Sequence, residues 1–189
     1  MTTFDNYSAT YTSLFCEENI WKLIESFKTN SQAVATDVLF IINSMSSVAL
    51  FNQKRSINNL PAVWDYHVIL SGIYKHKNCI FDFDSRGDFP ETTTGYFNNT
   101  FPSHRHLPQQ YQPLIRSIPA DYFFNHFYSD RSHMKGVIPE NKFPDYPIIN
   151  SENKTGEILD LNTCRNLDSF IPNSRLMTPV EYFTLKQEV

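Results

Sequence analysis

The apolar residues of the first helical segment recur at intervals of three and four along the chain. They are Ile20, Trp21, Leu23, Ile24 and Phe27. This spacing predicts an amphipathic helix that begins at Cys16, with Glu17 and Glu18 in its first turn, where the helix dipole favours negative charge. Thr12 or Ser13 is the predicted cap, because hydroxyl oxygens accept hydrogen bonds from the free N–H groups of a first turn.

Later segments carry the branched and aromatic residues that are typical of strands. The predicted strands span residues 35–43, 48–53, 63–74, 79–84 and 114–118. A short polar turn separates the third from the fourth, so these two form an antiparallel hairpin. Helices are predicted for 119–124, where Pro119 suits a first helical position, and for 180–187. Residues 54–61 and 86–112 are predicted as loops.

Composition limits the classes of protein to consider. With 189 residues, of which 41% are hydrophobic, the chain suits a single globular domain spanning 1–189. The net charge is −4 and no basic cluster is present, so we expect no nucleic-acid partner. The longest apolar run, Val38 to Ile42, is too short to span a bilayer, and the first residues do not resemble a secretory signal. We therefore expect a cytoplasmic protein, with nuclear access at this size.

The three cysteines are widely spaced and form no CxxC pair, so neither a disulfide framework nor a structural zinc site is indicated. Cys16 is different from Cys79 and Cys164 because it starts a predicted helix. Unpaired N–H groups and the helix dipole favour a thiolate there, which makes Cys16 a candidate nucleophile. The alternative is that Cys16 is a small buried hydrophobic residue.

His67 and Asp82 lie on the predicted hairpin at an odd separation, which places both on one face when the turn has an even length. Cys79 then points to the other face and is structural. A turn at His76-Lys77 would separate the pair, and a turn nearer Tyr74-Lys75 would place them opposite each other. If they meet, Asp82 orients the imidazole and His67 takes the proton of Cys16, whose pKa would fall to roughly 3.5–7.5. Otherwise His67 is a strand-edge histidine and Asp82 a solvated strand-end residue.

Several blocks of sequence resemble one family of enzymes, the protein N-terminal glutamine amidohydrolases. In chain order the blocks are Phe15-Cys16-Glu17-Glu18-Asn19-Ile20-Trp21-Lys22-Leu23, Val63-Trp64-Asp65-Tyr66-His67-Val68-Ile69-Leu70, Phe81-Asp82-Phe83-Asp84, Ser129-Asp130-Arg131-Ser132-His133-Met134-Lys135, Asp145-Tyr146-Pro147 and Asn166-Leu167-Asp168-Ser169-Phe170-Ile171. They follow the family's order and cover most of the chain. Two stretches, 91–112 and 172–179, depart from the pattern, so the resemblance does not predict the access loops or the packing of the tail.

The resemblance implies a fold, a reaction and a triad. The fold would be α+β, an α-β-α sandwich similar to the papain and transglutaminase scaffold. The family converts the N-terminal glutamine of a protein or peptide to glutamate and releases ammonia, and arginylation of that glutamate leads into the N-degron pathway. Its Cys-His-Asp triad corresponds to Cys16, His67 and Asp82. The resemblance implies neither a metal nor another cofactor, and a monomer is sufficient for the chemistry.

An enzyme of this kind must recognise the free α-ammonium group, and a buried carboxylate could bind it through a charge-assisted hydrogen bond. The candidates are Glu18, Asp65 and Asp130. Each has another explanation: Glu18 as a helix-start charge, Asp65 as a strand-edge residue and Asp130 as a turn cap for Ser132. Arg131 is expected to bridge a carboxylate. Trp21 and Trp64 are expected in the core or along the pocket wall.

Other classes of function stay open on the sequence alone. A thiol endopeptidase or transglutaminase would use the same triad with a different specificity. A non-catalytic module that binds peptide N-termini would keep the fold and have a thiol of ordinary reactivity. A metal site formed by Cys16, His67 and Asp82 is the third alternative, and a single thiolate without a second cysteine disfavours it.

Overall fold

The computed structural model describes residues 2–4, 7–29, 33–103, 106–150 and 158–187. Within these ranges the helices are α1 (Cys16–Phe27), α2 (Thr93–Thr100), α3 (Ala120–His126), α4 (Leu161–Arg165) and α5 (Pro179–Gln187). The strands are β1 (Thr2–Phe4), β2 (Tyr7–Ala9), β3 (Ala33–Ile42), β4 (Val48–Leu50), β5 (Ala62–Trp64), β6 (His67–Tyr74), β7 (Lys77–Phe81), β8 (Glu91–Thr92), β9 (Leu114–Pro119), β10 (Phe127–Ser129), β11 (Ile149–Asn150), β12 (Leu159–Asp160) and β13 (Arg175–Met177). In the part of the chain so described, every helix is too short or too polar to cross a membrane.

The largest sheet contains six strands in the order β13-β9-β3-β6-β7-β8, and every neighbouring pair is antiparallel. A second sheet has the order β11-β10-β12, in which β10 and β12 are parallel. The pairs β1-β2 and β4-β5 form short hairpin-like ladders. Helices and mainly antiparallel strands share the chain, so the predicted α+β class is confirmed.

Alternate residues of β3 show how the layers are built, because successive side chains of a strand point to opposite faces. Val38 and Phe40 pack in one core, with residues of α1 and α3. Leu39 and Ile41 pack in a second core, with residues of α2 and α5. Helices therefore cover both faces of the central sheet, and the start of α1 lies on the first of them.

The predicted first helix is confirmed over Cys16–Phe27, but the prediction of its cap is wrong. Phe15 is the N-cap residue, and its side chain makes no capping hydrogen bond. Thr12 is instead held from inside the helix, since the Asn19 side chain accepts a hydrogen bond from its N–H at 2.8 Å and donates one to its carbonyl at 2.8 Å. This double contact fixes the chain that leads into Cys16.

Two other predictions differ from the structure in kind, and the strands predicted over 48–53 and 79–84 end earlier, at Leu50 and Phe81. The strand predicted over 63–74 is interrupted at residues 65–66, so β5 pairs with β4 while β6 joins the central sheet. The loop predicted over 86–112 contains α2, whose start is capped by the Thr92 hydroxyl accepting from the N–H of Gly95 at 3.2 Å. This short helix has no regular apolar stripe, so its periodicity gave no signal.

Candidate active site

The hairpin formed by β6 and β7 places His67 near Asp82. Its two-residue turn consists of Lys75 and His76, both with positive φ (48° and 65°), as a type I′ turn requires. The turn pairs Leu70 with Phe81. Continued by one residue, this register sets Asp82 opposite Ile69, two residues after His67. The observed turn thus lies between the two positions considered from the sequence. The shared face is confirmed, because Cys79 packs in the first core on the other side.

His67 and Asp82 form a buried pair. The His67 Nε2 lies 2.8 Å from Asp82 Oδ1, and both side chains are only 1% exposed. The same oxygen accepts the N–H of Asp84 at 2.9 Å, and Oδ2 accepts from Gln53 at 3.0 Å and Tyr96 at 2.9 Å. All four lone-pair positions of the carboxylate are therefore occupied, and this holds Asp82 in one orientation.

The two partners shift each other's pKa in the direction of an ion pair. Burial acts to lower the pKa of His67, but the charge and hydrogen bond of Asp82, together with the charges of Asp84 and Glu17, outweigh it and raise that pKa above 6.5. Burial likewise acts to raise the pKa of Asp82, and His67 together with the accepted hydrogen bonds holds it below its usual range. The Trp64 ring stacks on the imidazole at 4.9 Å between centroids and shields it from solvent.

His67 Nδ1 is the unused side of the ring. It is buried and has no hydrogen-bond partner among the described residues. Since Nε2 faces the carboxylate and donates its proton there in the neutral ring, Nδ1 carries the free lone pair. This nitrogen is therefore the one available to accept a proton.

Cys16 starts α1 and is partly exposed, but its thiol has a raised pKa. Burial raises the pKa of Cys16 well above its ordinary value and nearby Glu17 adds to the rise, while the backbone N–H of Val68 opposes it. The expected lowering is therefore not found, because the helix dipole does not overcome desolvation and the adjacent carboxylate. Val68 directly follows His67, so the sulfur lies beside the first residues of β6.

A cleft of ≈ 330 Å³ opens at Cys16. Its walls come from the chain before α1, the break between β5 and β6, and the segment after β10. The lining residues are Leu14, Cys16, Arg55, Trp64, Asp65, Tyr66, Asp84, His133, Met134, Val137 and Arg165. A larger cleft of ≈ 960 Å³ adjoins it, and Leu14 lines both. Cys16 thus lines the cleft, whereas the buried His67 and Asp82 do not.

Glu17 occupies the interior side of Cys16. Its side chain is fully buried; Oε2 accepts a hydrogen bond from the Tyr66 hydroxyl at 3.0 Å and lies 3.5 Å from the Cys16 sulfur. Burial raises the pKa of Glu17 to about 7. A carboxyl group that titrates near neutrality therefore lies in contact with the thiol.

The three carboxylates predicted to read the α-ammonium group have different environments. Glu18 is buried and bound on both oxygens by Arg131, at 2.9–3.2 Å, and by the Ser129 hydroxyl at 2.7 Å, so Arg131 bridges a carboxylate as expected. Asp130 accepts the N–H of Ser132 at 2.8 Å, as in a turn cap. Asp65 is 63% exposed at the cleft, 3.5 Å from an arginine. The structure thus places only Asp65 of the three on the cleft wall.

The two tryptophans also differ in position. Trp64 lines the cleft. Trp21 stacks on Phe124 at 4.6 Å between centroids and donates its indole N–H to the carbonyl of that residue at 3.0 Å. Trp64 is therefore part of the pocket wall, whereas Trp21 joins α1 to α3.

Several residues of the site were not identified from the sequence. They are Glu17, Gln53, Tyr66, Asp84 and Tyr96. Asp84 carried a usable signal, since it lies two positions after Asp82 and continues the same face. Glu17 neighbours the nucleophile directly, but adjacency does not show which side chain is buried. The contact from Tyr96 depends on α2, which the hydrophobic pattern did not reveal.

A metal ion has a possible ligand set here, and it differs from the one considered above. Among the described residues, ligand atoms of His67, Asp82 and Asp84 lie within 4.8 Å of one another, and Cys16 is not among them. A metal at this point would have to displace hydrogen bonds from an Asp82 carboxylate whose acceptor positions are filled. The donor set therefore suits a hydrogen-bonded dyad better than a metal centre.

The chain matches a model of the N-terminal glutamine amidase family over residues 11–181. It is 36% identical over 167 residues to the protein N-terminal glutamine amidohydrolase of Danio rerio, covering 85% of this chain and 78% of that protein. The human protein of the same name is 35% identical over 166 residues, with 85% and 77% covered. The Arabidopsis thaliana protein of that name is 37% identical over 133 residues, with 66% and 60% covered.

Proposed function

Because the chain belongs to the N-terminal glutamine amidase family, we propose that it deamidates the side chain of an N-terminal glutamine in proteins or peptides. Water is consumed, glutamate is left on the substrate and ammonia is released. The observation that carries the proposal is the buried His67–Asp82 pair, because Val68, which directly follows His67, places its N–H at the Cys16 thiol on the cleft wall. Three relatives carry the matching name, which supports the same substrate.

The proposed mechanism begins with proton transfer. The raised pKa of Cys16 means that the resting thiol is protonated, so a base must act when the substrate binds. His67 Nδ1 has the free lone pair for this step, and the Asp82 carboxylate stabilises the resulting imidazolium. The enzyme thus gains its thiolate from His67 during the reaction and not from the helix dipole beforehand.

The thiolate then attacks the carboxamide carbon of the glutamine side chain. The backbone N–H of Cys16 stabilises the oxyanion, and one such donor contributes on the order of 10²–10³ in rate. His67 gives its proton to the departing ammonia, leaving a thioester on Cys16. The imidazole next removes a proton from water, which attacks the thioester and releases glutamate and the free thiol.

The product links the reaction to protein turnover in this proposal. An N-terminal glutamate is a substrate for arginylation, which places the enzyme upstream of the N-degron pathway. Action on cellular proteins would require a cytoplasmic location, with access to the nucleus. The catalytic residues named here come from a single chain, so a monomer is sufficient.

Matched peptides test the proposal. One begins with glutamine, one begins with asparagine, and one carries glutamine only at an internal position. Each is incubated with wild-type protein, Cys16→Ala and the control Cys79→Ala, which alters a buried thiol on the hairpin face that points away from His67 and Asp82 and does not line the cleft. We expect ammonia and the mass change of one amide-to-acid conversion only from the first peptide, lost in Cys16→Ala and kept in Cys79→Ala.

Other outcomes would support the competing functions. Cleavage of a peptide bond would favour a thiol endopeptidase, and coupling of the glutamine to an added amine would favour a transglutaminase. Binding of the first peptide without turnover would favour a module that recognises N-termini. Each of these results would refute the proposed deamidation.

A further inference from the structure

Asp84 is a cleft residue that the reaction described above does not use. The residue is 8% exposed and lines the cleft that contains Cys16. Oδ1 accepts a hydrogen bond from the Tyr11 hydroxyl at 2.9 Å, while among the described residues Oδ2 receives none. The carboxylate is therefore held from one side and keeps acceptor capacity on the other.

The reach of a glutamine side chain defines where its α-ammonium group must lie. Four bonds of about 1.5 Å separate the carboxamide carbon from the α-nitrogen, so the two are at most about 5 Å apart. The reacting carbon must approach the Cys16 sulfur to about 3–3.5 Å, next to His67. Asp84 and Cys16 line the same cleft, and an oxygen of Asp84 lies within 4.8 Å of a ring nitrogen of His67, a separation comparable to the reach of the α-ammonium group.

The other carboxylates near Cys16 are less suited to bind the α-ammonium group. Both oxygens of Glu18 are bound by Arg131. Glu17 is completely buried behind Cys16 and does not line the cleft. Asp65 is at the cleft but 63% exposed, so water screens its charge. Asp84 is the carboxylate that combines burial with a place on the cleft wall.

On the basis of the proposed deamidation, we propose that Asp84 binds the α-ammonium group of the N-terminal glutamine and so excludes internal glutamines. An internal glutamine offers an uncharged amide nitrogen that is bonded to the preceding residue. It would leave the Asp84 carboxylate desolvated without a cation, which disfavours binding. Tyr11 acts as a positioning residue, because its hydroxyl orients the carboxylate.

The test compares two substrates that differ only at the α-nitrogen. One peptide begins with glutamine, and the other begins with the same residue lacking its amino group. For wild type we expect kcat/KM to favour the free amine by roughly 10- to 100-fold, the value of a hydrogen bond to a charged group. In Asp84→Asn this ratio should fall to within a few-fold of one, chiefly through the amine substrate. Tyr11→Phe should lower the ratio less.

Controls separate this role from others. Asp121→Asn removes an exposed carboxylate of α3 and should leave both the ratio and the activity unchanged. A loss in Asp84→Asn that is equal for the two substrates would refute the inference and indicate that Asp84 acts only on the pKa of His67. So would a ratio that collapses in Asp65→Asn instead. Thermal melting of each variant shows whether it is folded, and if Asp84→Asn does not fold, an unchanged ratio in Tyr11→Phe overturns the inference.

The experiment also separates this inference from the proposed function. A wild-type protein that releases no ammonia from either substrate would refute the deamidation itself. A wild-type protein that deamidates both equally would leave the deamidation in place and refute recognition of the α-ammonium group. Retention of the wild-type ratio in Asp84→Asn would refute only the assignment to Asp84.

Discussion

Replacement of Glu17 by glutamine tests how the protein tolerates a carboxyl group beside its candidate nucleophile. Glu17 is fully buried; its Oε1 accepts no hydrogen bond among the described residues but lies 3.5 Å from His133 Nε2. Its Oε2 accepts from the Tyr66 hydroxyl at 3.0 Å, a bond that a glutamine oxygen can also accept. Glu17→Gln therefore removes the titration and the charge while keeping the shape and the contact to Tyr66.

The magnitude follows from the pKa of Glu17, which burial raises from 4.5 to about 7. At about 1.4 kcal/mol for each tenfold change, the rise corresponds to about 3 kcal/mol. A raised pKa means that the folded state prefers the protonated form. The stability that protonated Glu17 contributes to the folded state is present in full below pH 4.5 and is lost as the pH rises through about 7. At higher pH the folded protein holds a buried carboxylate at that cost.

The assay is urea unfolding of wild type and Glu17→Gln at about pH 5 and about pH 8. We compare the free energy of unfolding of Glu17→Gln with that of wild type at each pH. We expect this difference to shift in favour of the variant by about 2–3 kcal/mol from the lower to the higher pH. Glu25→Gln is the control, because Glu25 is exposed in an ion pair with Lys22 and should change stability by under about 1 kcal/mol at either pH. An advantage of Glu17→Gln that does not depend on pH would refute the reasoning.

Two further predictions concern buried charges. Asp82→Asn should lower kcat on the order of 10²–10⁴-fold, and because Asp82 raises the pKa of His67, the rising limb of the pH–rate profile should move to lower pH; a proportional loss at every pH would contradict this. Arg131→Met should cost about 3–5 kcal/mol in urea unfolding, since it leaves Glu18 buried without its partner. Lys22→Met, which breaks the partly exposed pair with Glu25, is the control and should cost under about 1 kcal/mol.

The parts of the fold that the sequence predicts are those fixed by local periodicity. A 3.6-residue period identifies α1, and a two-residue period places His67 and Asp82 on one face of the hairpin. Both conclusions need only the order of residues within one element or one hairpin. Cys16 could be singled out for the same reason, because its position at a helix start is a local property.

The parts that the sequence does not predict depend on geometry with little local signature. The hairpin turn uses Lys75 and His76 in left-handed conformations, where glycine or asparagine is the usual choice, so the register could not be fixed in advance. The break at residues 65–66, which separates β5 from β6, interrupts a run that reads as one continuous strand. The bond from Tyr96 to Asp82 depends on α2, which has no apolar stripe.

The surroundings of the acidic residues depend on partners that are distant in the sequence, so the local sequence does not predict them. Glu17 and Glu18 are adjacent in the first turn of α1, so their side chains point about 100° apart around the helix axis. Glu17 accepts a hydrogen bond from Tyr66 beside the thiol, and its pKa is raised to about 7. Glu18 forms a buried ion pair with Arg131. Asp82 and Asp84 likewise lie two residues apart just after β7, yet Asp82 accepts four hydrogen bonds whereas Asp84 lines the cleft. Identical side chains therefore have different surroundings because distant elements supply their partners.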